Sequence, residues 1–342
     1  MRKNPRQPIF NFACNGCPWM VTGRCHGPSN HNAYLMQDET LVPCIDVERR
    51  GLFYEDLNNR LITTPQSSHQ HKIVFPPFIA SIKDGLRLPD NCSQYTFAIP
   101  LGKILNKSGS LRYKSIEAIR RRFGLHNASK VVLIGTGKDE KIEAMWKVSD
   151  AKRIWEGIAG IGFDWVTTPC FSVWTETPRA HQIWSQDRIL QTHDILANLG
   201  VPCVPFLFPI EDVDFKVIAK WLNSHPDVTK VAVYGRYYKN SPDLEEFLNL
   251  LRKIQNLTDR ALEFLVVGLA MADRILAIAQ EFKASFVTGK PFHRAYAGEI
   301  CKPDLTYVSS SVLRADLTTY NLKQTFDYCE RLRNQFDLAL RR

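Results

Sequence analysis

Four cysteines stand within the first 44 residues: Cys14, Cys17, Cys25 and Cys44. The first two frame a C-x2-C turn, Cys14-Asn15-Gly16-Cys17, with Pro18 and Trp19 directly after it. Such a turn sets two sulfurs on one side of a tight loop. Two further thiolates then complete a tetrahedral zinc site or hold a [4Fe–4S] cluster, and the spacing leaves both open. His26 and His31 are alternative ligands for one position. The other five cysteines, Cys92, Cys170, Cys203, Cys301 and Cys329, are scattered. An odd total of nine, with four gathered early, favours a metal over disulfides in a reducing compartment.

The second set of chemical residues follows short apolar runs. Asp84-Gly85 comes after the first run, and Gly135-Thr136-Gly137-Lys138-Asp139 after the third. The latter lacks the full G-x4-G-K-[ST] spacing of a phosphate loop, and Asp139 also suits the start of a helix. Asp84 and Asp139 are the candidate acid/base or nucleophilic groups. Candidate phosphate-binding residues are Arg179, Arg188, Arg236, Lys290, His293 and Arg294, with Tyr237 or Trp174 placed to stack on a base. Arg179 falls in the first turn of a helical pattern, where a cation opposes the helix dipole; this invites a bound anionic ligand, and a surface arginine or a structural salt bridge is the alternative. Cys170 is a conceivable nucleophile, although a cysteine on a core strand is more often inert packing. No G-x-S-x-G elbow and no H-E-x-x-H helix occurs.

The elements that position these residues alternate. Apolar, β-branched runs cover 73–82, 95–101, 130–135, 163–172, 201–208, 230–235, 262–269 and 285–289. Eight near-continuous apolar runs read as strands buried on both faces. Amphipathic segments at 150–159, 179–199, 212–223, 242–255 and 272–282 separate most of them, with Gly200 ending one and Pro178 and Pro242 opening others. Strand–helix repetition implies right-handed crossovers and a parallel sheet. The expected fold is an α/β, TIM-like (β/α)8 barrel, irregular at its start because only about twelve residues join the first two strands. A doubly wound open sheet is the alternative. The expected division is a Cys-rich metal-binding cap at 1–62, the barrel at 63–300 and a C-terminal helical extension at 301–342.

The 342 residues carry a formal charge of +9, which suits a nucleotide or nucleic-acid partner. No run of 18 apolar residues is present, so no membrane partner is expected, and the N-terminus lacks an apolar signal core, which points to the cytoplasm. The sequence carries no signal for oligomeric state.

Two resemblances extend this reading. Residues 138–208, with Phe171-Ser172, Pro178-Arg179, Arg188 and Gly200-Val201-Pro202-Cys203-Val204-Pro205, look like an uncharacterised family found in bacteria and phages, a likeness that spans 70–300 and implies no particular reaction. The last third is similar in layout to the tRNA-guanine transglycosylase superfamily. The residues that carry this are Phe264-Leu265-Val266-Val267-Gly268, Phe286-Val287, the basic loop ending at Gly298, and Thr319-Tyr320-Asn321-Leu322 with Phe326 and Arg333. That resemblance implies a TIM barrel and nucleobase exchange by a transferase with paired aspartates. This chain departs from the pattern: no aspartate stands at 285–287, no acid at 168–170, and its cysteine cluster is N-terminal rather than C-terminal. The leading expectation is therefore a metal-stapled barrel acting on a nucleotide or nucleic acid, by base exchange or glycosyl transfer. The rival expectations are a non-enzymatic nucleic-acid-binding protein of phage or mobile-element origin, and an iron–sulfur redox enzyme.

Overall fold

Apolar runs too short for helices must pair as strands, and each of the eight does. The computed structural model describes residues 67–82, 94–126, 128, 130–171, 173, 177–235 and 241–339. Cys14, Cys17, Cys25 and Cys44 lie outside these residues, as do the 1–62 cap, Asp84, Trp174, Arg236 and Tyr237.

The strands are β1 (Phe78–Ser81), β2 (Thr96–Pro100), β3 (Lys130–Ile134), β4 (Val166–Thr167), β5 (Cys203–Val204), β6 (Lys230–Tyr234), β7 (Glu263–Val267) and β8 (Ala284–Thr288). They form one parallel sheet in the order β5-β4-β3-β2-β1-β8-β7-β6. The two edge strands belong to neighbouring positions of a cycle, and a parallel bridge between Phe206 and Ala232 links them. The sheet thus curls into a nearly closed eight-strand barrel. β2 and β3 pair along their whole length, Thr96 with Lys130 through Pro100 with Ile134. The seam at β5 and β6 is the weak point, held by the one bridge and by main-chain bonds from Ala232 N–H to Pro205 O (2.8 Å) and from Leu207 N–H to Ala232 O (2.9 Å).

Helices fill the crossovers. They are α1 (Leu101–Ile104), α2 (Ile116–Phe123), α3 (Asp139–Val148), α4 (Ile154–Ile161), α5 (Arg179–Asn198), α6 (Asp212–Ser224), α7 (Ser241–Gln255), α8 (Ala272–Glu281) and α9 (Lys290–Tyr296). An antiparallel hairpin of β9 (Glu299–Cys301) and β10 (Tyr307–Ser309) follows, then the single long helix α10 (Arg314–Ala339). Gly200 ends α5 with φ of +76°, the left-handed conformation that glycine adopts without a Cβ penalty.

The expected C-terminal extension packs onto the barrel. Asn321 of α10 accepts from Cys301 N–H at 2.7 Å and donates to Glu299 O at 2.9 Å. Arg333 of the same helix donates to Glu263 of β7 at 2.6 Å and to Ser285 Oγ of β8 at 3.0 Å. Among the described residues, no helix is long and apolar enough to cross a membrane.

One helix departs from the amphipathic rule. A helix over a barrel normally keeps a polar stripe in water. In α5, by contrast, Arg179, His181, Gln182, Ser185, Gln186, Arg188, Thr192 and His193 are all buried. A helix with that many buried polar groups must satisfy them internally, and its partners define the site described next.

Candidate functional site

A parallel barrel gathers the residues after its strands at one end, the C-terminal rim. α5 follows β4 and α9 follows β8, and strands 4 and 8 are opposite in an eight-strand cycle. The two described groups of expected phosphate ligands therefore stand on opposite sides of the rim: Arg179 and Arg188 on one, Lys290, His293 and Arg294 on the other.

Arg179 makes the structural salt bridge that is the alternative to a bound anionic ligand. Arg179 Nη2 lies 2.6 Å from Asp214 Oδ1, Nη1 lies 3.0 Å from Oδ2, and Nε lies 3.3 Å from Glu211. Asp214 is fully buried and also accepts from the N–H groups of Ile210 (3.0 Å) and Glu211 (2.9 Å) and from Gln186 (3.1 Å). Glu211 and Asp214 form a reciprocal capping box at the start of α6. Burial alone would raise the Asp214 carboxyl. The Arg179 hydrogen bonds and charge, with those two N–H groups, outweigh it and hold the carboxyl below the usual carboxylate range.

Arg188 is likewise enclosed. It makes a bidentate pair with Glu143 of α3 at 2.7 and 3.0 Å, and its guanidinium lies 3.3 Å from the Trp184 ring centroid and 3.9 Å from that of Phe171. Both arginines of α5 thus tie helices together.

On the opposite side, Lys290 Nζ donates to Ala270 O at 2.7 Å and sits 5.1 Å from the Tyr307 ring. Burial, then the charge of Arg294, lower the Lys290 pKa. Arg294 pairs with Glu299 at 2.7 Å over the same tyrosine. His293 is exposed, beside Gly289, and a Cβ on Gly289 would come within 3.0 Å of the Ser81 carbonyl at the end of β1. Between β2 and β3 the backbones of Gly102 and Gly137 touch, so close that a Cβ on either would meet the other's main chain below 3.0 Å. Lys141 donates across that contact to the carbonyls of Gly102 (2.7 Å) and Leu105 (2.8 Å). Lys138 and Asp139 are exposed here, Asp139 as the first residue of α3, where the helix dipole favours a carboxylate. Cys170 is half-buried nearby. Burial, then the Asp139 charge, push its thiol up to about 12, so it is no thiolate nucleophile at neutral pH.

A third cluster lies at the other end of the barrel, and the sequence alone did not reveal it. His193 and Asp194 sit near the C-terminal end of α5, and His225 is the C-cap of α6. Asp194 Oδ1 is 3.0 Å from His193 Nδ1 and 3.0 Å from His225 Nε2. One ligand atom from each residue lies within 4.8 Å of the others, so the trio could hold a metal ion. Trp221 stacks on the His225 ring at 4.2 Å and meets His193 edge-on at 4.9 Å. Burial lowers the His193 pKa despite its bond to Asp194. For Asp194, burial is outweighed by the two histidines and the carboxyl is lowered. For His225, burial is outweighed by Asp194 and the Trp221 carbonyl, and the pKa is raised. The signal available beforehand was small: a His-Asp pair ending one helix and a His-Pro-Asp turn ending the next.

No family model matches the sequence, and no curated protein matches it.

Proposed function

We propose that the barrel acts on a nucleotide or nucleic-acid substrate at its C-terminal rim, in the sector running from β8 through β1 and β2 to β3. The observation that carries this reading is the placement of exposed Lys138, Asp139 and His293 at the ends of β3 and β8, which flank β1 and β2 in the sheet. The opposite side of the rim has its arginines paired to internal carboxylates. The net charge of +9 favours an anionic partner. In this reading Lys138 and His293 contact phosphate, and Asp139 is the acid/base group on the described part of the rim. Base exchange or glycosyl transfer is the reaction the transglycosylase resemblance implies, with Asp84, which follows β1 in the chain, as a further contributor. The Cys14–Cys17–Cys25–Cys44 metal would staple the N-terminal cap.

The test is binding of a fluorescein-labelled single-stranded oligonucleotide and of nucleoside monophosphates, each over a salt series. Lys138→Ala is expected to weaken oligonucleotide binding several-fold and to lower the salt slope by about 0.7, one single-strand phosphate contact. His293→Ala should also weaken it. Unchanged affinity and slope in both variants would refute this placement.

A further inference from the structure

We propose that His193, Asp194 and His225 form a binding site for a divalent transition-metal ion, zinc above all, which clamps α5 to α6 at the N-terminal end of the barrel. The site lies at the end of the barrel away from the rim, and its ligands include none of the four N-terminal cysteines.

The argument starts from the hydrogen-bond inventory. His225 Nδ1 faces the Trp221 carbonyl at 2.8 Å, so that nitrogen carries the proton. A histidine whose one N–H is fixed by a backbone carbonyl presents the lone pair of the other nitrogen, the arrangement found behind most metal-ligating imidazoles. That other nitrogen, Nε2, stands 3.0 Å from Asp194 Oδ1 in poor hydrogen-bond alignment. Whenever Nε2 is deprotonated, its lone pair and the carboxylate oxygen face each other at close range, and a metal cation can take the place of the proton between them. A proton on Nε2 would lie off the line to Oδ1. A metal ion needs no such alignment.

The separations fit. Donors of a tetrahedral site with bonds of about 2.0–2.1 Å stand about 3.3 Å apart. Both histidine–carboxylate separations are 3.0 Å and the two imidazole nitrogens lie within 4.8 Å of each other, so side-chain adjustments that exchange the His193–Asp194 hydrogen bond for a metal bond open the site. His193 is wholly buried, and its Nε2 also has no hydrogen-bond partner. Two imidazole nitrogens and one carboxylate oxygen are a donor set for zinc or another first-row divalent ion, with a fourth position for water on the partly exposed Asp194 side. The location argues for a structural ion, since the N-terminal face of a barrel serves stability. It bridges the helices on either side of β5, the strand with the shortest ladder to β6.

The experiment must separate this site from the N-terminal thiolates. A full-length Cys14→Ser/Cys17→Ser/Cys25→Ser/Cys44→Ser variant is stripped with chelator and titrated with Co2+ and Zn2+. It is expected to bind one equivalent, with visible cobalt d–d absorption and no thiolate-to-cobalt band, and to melt several degrees higher with zinc. Adding Asp194→Asn or His225→Gln should weaken binding by more than the roughly 10–100-fold that loss of an outer partner costs. A second readout uses the wild-type chain. Co2+ should quench Trp221, which lies against both rings, and Trp221→Phe should remove that share of the quench while stoichiometry is kept. No binding by the folded cysteine-free variant, equal affinity in the Asp194 and His225 variants, or quenching unchanged by Trp221→Phe would each overturn the site.

Discussion

The buried pair between Arg179 and Asp214 offers the sharpest test of how α5 is held. Asp214→Asn keeps the size and one acceptor for the Ile210 and Glu211 N–H groups. It removes the charge that faces Arg179, whose side chain is 2% exposed, while Glu211 remains 3.3 Å away at 21% exposure. Breaking a buried ion pair costs about 3–5 kcal/mol because one charge is left uncompensated. With the cap and Glu211 retained, the lower end applies, about 3 kcal/mol. At about 2.1 cal/mol/K of unfolding entropy per residue, over 342 residues that is a fall of about 4 °C in melting temperature. The pH dependence adds a second reading. The folded Asp214 pKa is depressed below its unfolded value of about 3.9. Its contribution is therefore complete above about pH 5 and is lost as pH falls through the folded pKa. Wild type should lose stability on this acid limb, and Asp214→Asn should show a flatter limb. Thermal melts by circular dichroism from pH 3 to 7 measure both. Adding Arg179→Met should recover part of the loss, since the stranded charge goes with it. A variant that melts within 2 °C of wild type at pH 7, or a double variant whose losses simply add, would refute the internal-anion account.

Two further perturbations probe the barrel itself. Gly135→Ala puts a Cβ 1.8 Å from the Thr168 carbonyl oxygen, a backbone atom that cannot step aside, so a loss at or beyond the top of the usual 1–3 kcal/mol range for overpacking is expected in urea denaturation. Gln70→Leu removes the side chain that donates to the Cys203 and Lys230 carbonyls (2.9 Å each) and accepts from the Thr229 (3.0 Å) and Lys230 (2.7 Å) N–H groups. Leaving such buried groups unpaired costs about 1–3 kcal/mol each, so faster amide hydrogen exchange at 229–230 should accompany a lower urea midpoint.

The eight strands were legible because strands buried on both faces must be apolar nearly throughout, and all eight runs hold one. Their lengths were not. The runs at 163–172 and 201–208 each yield a two-residue ladder, since Phe171, Phe206 and Leu207 bury their side chains beyond the strand ends. α3 is missing from the helical segments expected of the sequence, because only Ile142, Met145 and Trp146 turn to the core. The five helical segments expected from periodicity all appear within a few residues of their bounds. The candidate sites were less legible, for a physical reason. An arginine shows its charge in the sequence but not its counter-ion: Asp214 lies 35 residues beyond Arg179, and Glu143 lies 45 residues before Arg188. In the same way His225 meets Asp194 only once α5 and α6 lie side by side.

These pairings follow from where the barrel is weakest. β4 and β5 offer two ladder residues each, and β5 reaches β6 through one bridge. A sheet with so few hydrogen bonds there needs other links to close, and the polar ones gather at that sector. Arg188 joins α5 to α3, Arg179 and Gln186 join it to α6, Gln70 joins the starts of β5 and β6, and Asp227 anchors Ser67 (2.8 Å) and Ser68 beside them. The His193–Asp194–His225 cluster belongs to the same set. Polar links of this kind demand fixed partners, which is why the cations of α5 are unsuited to a passing ligand. The rim proposed for substrate stands across the barrel, where β2 and β3 pair over five residues and β7 and β8 over four. A ligand site needs a rigid base, and on this side Lys138 and Asp139 stand exposed at the end of the five-residue β2–β3 ladder.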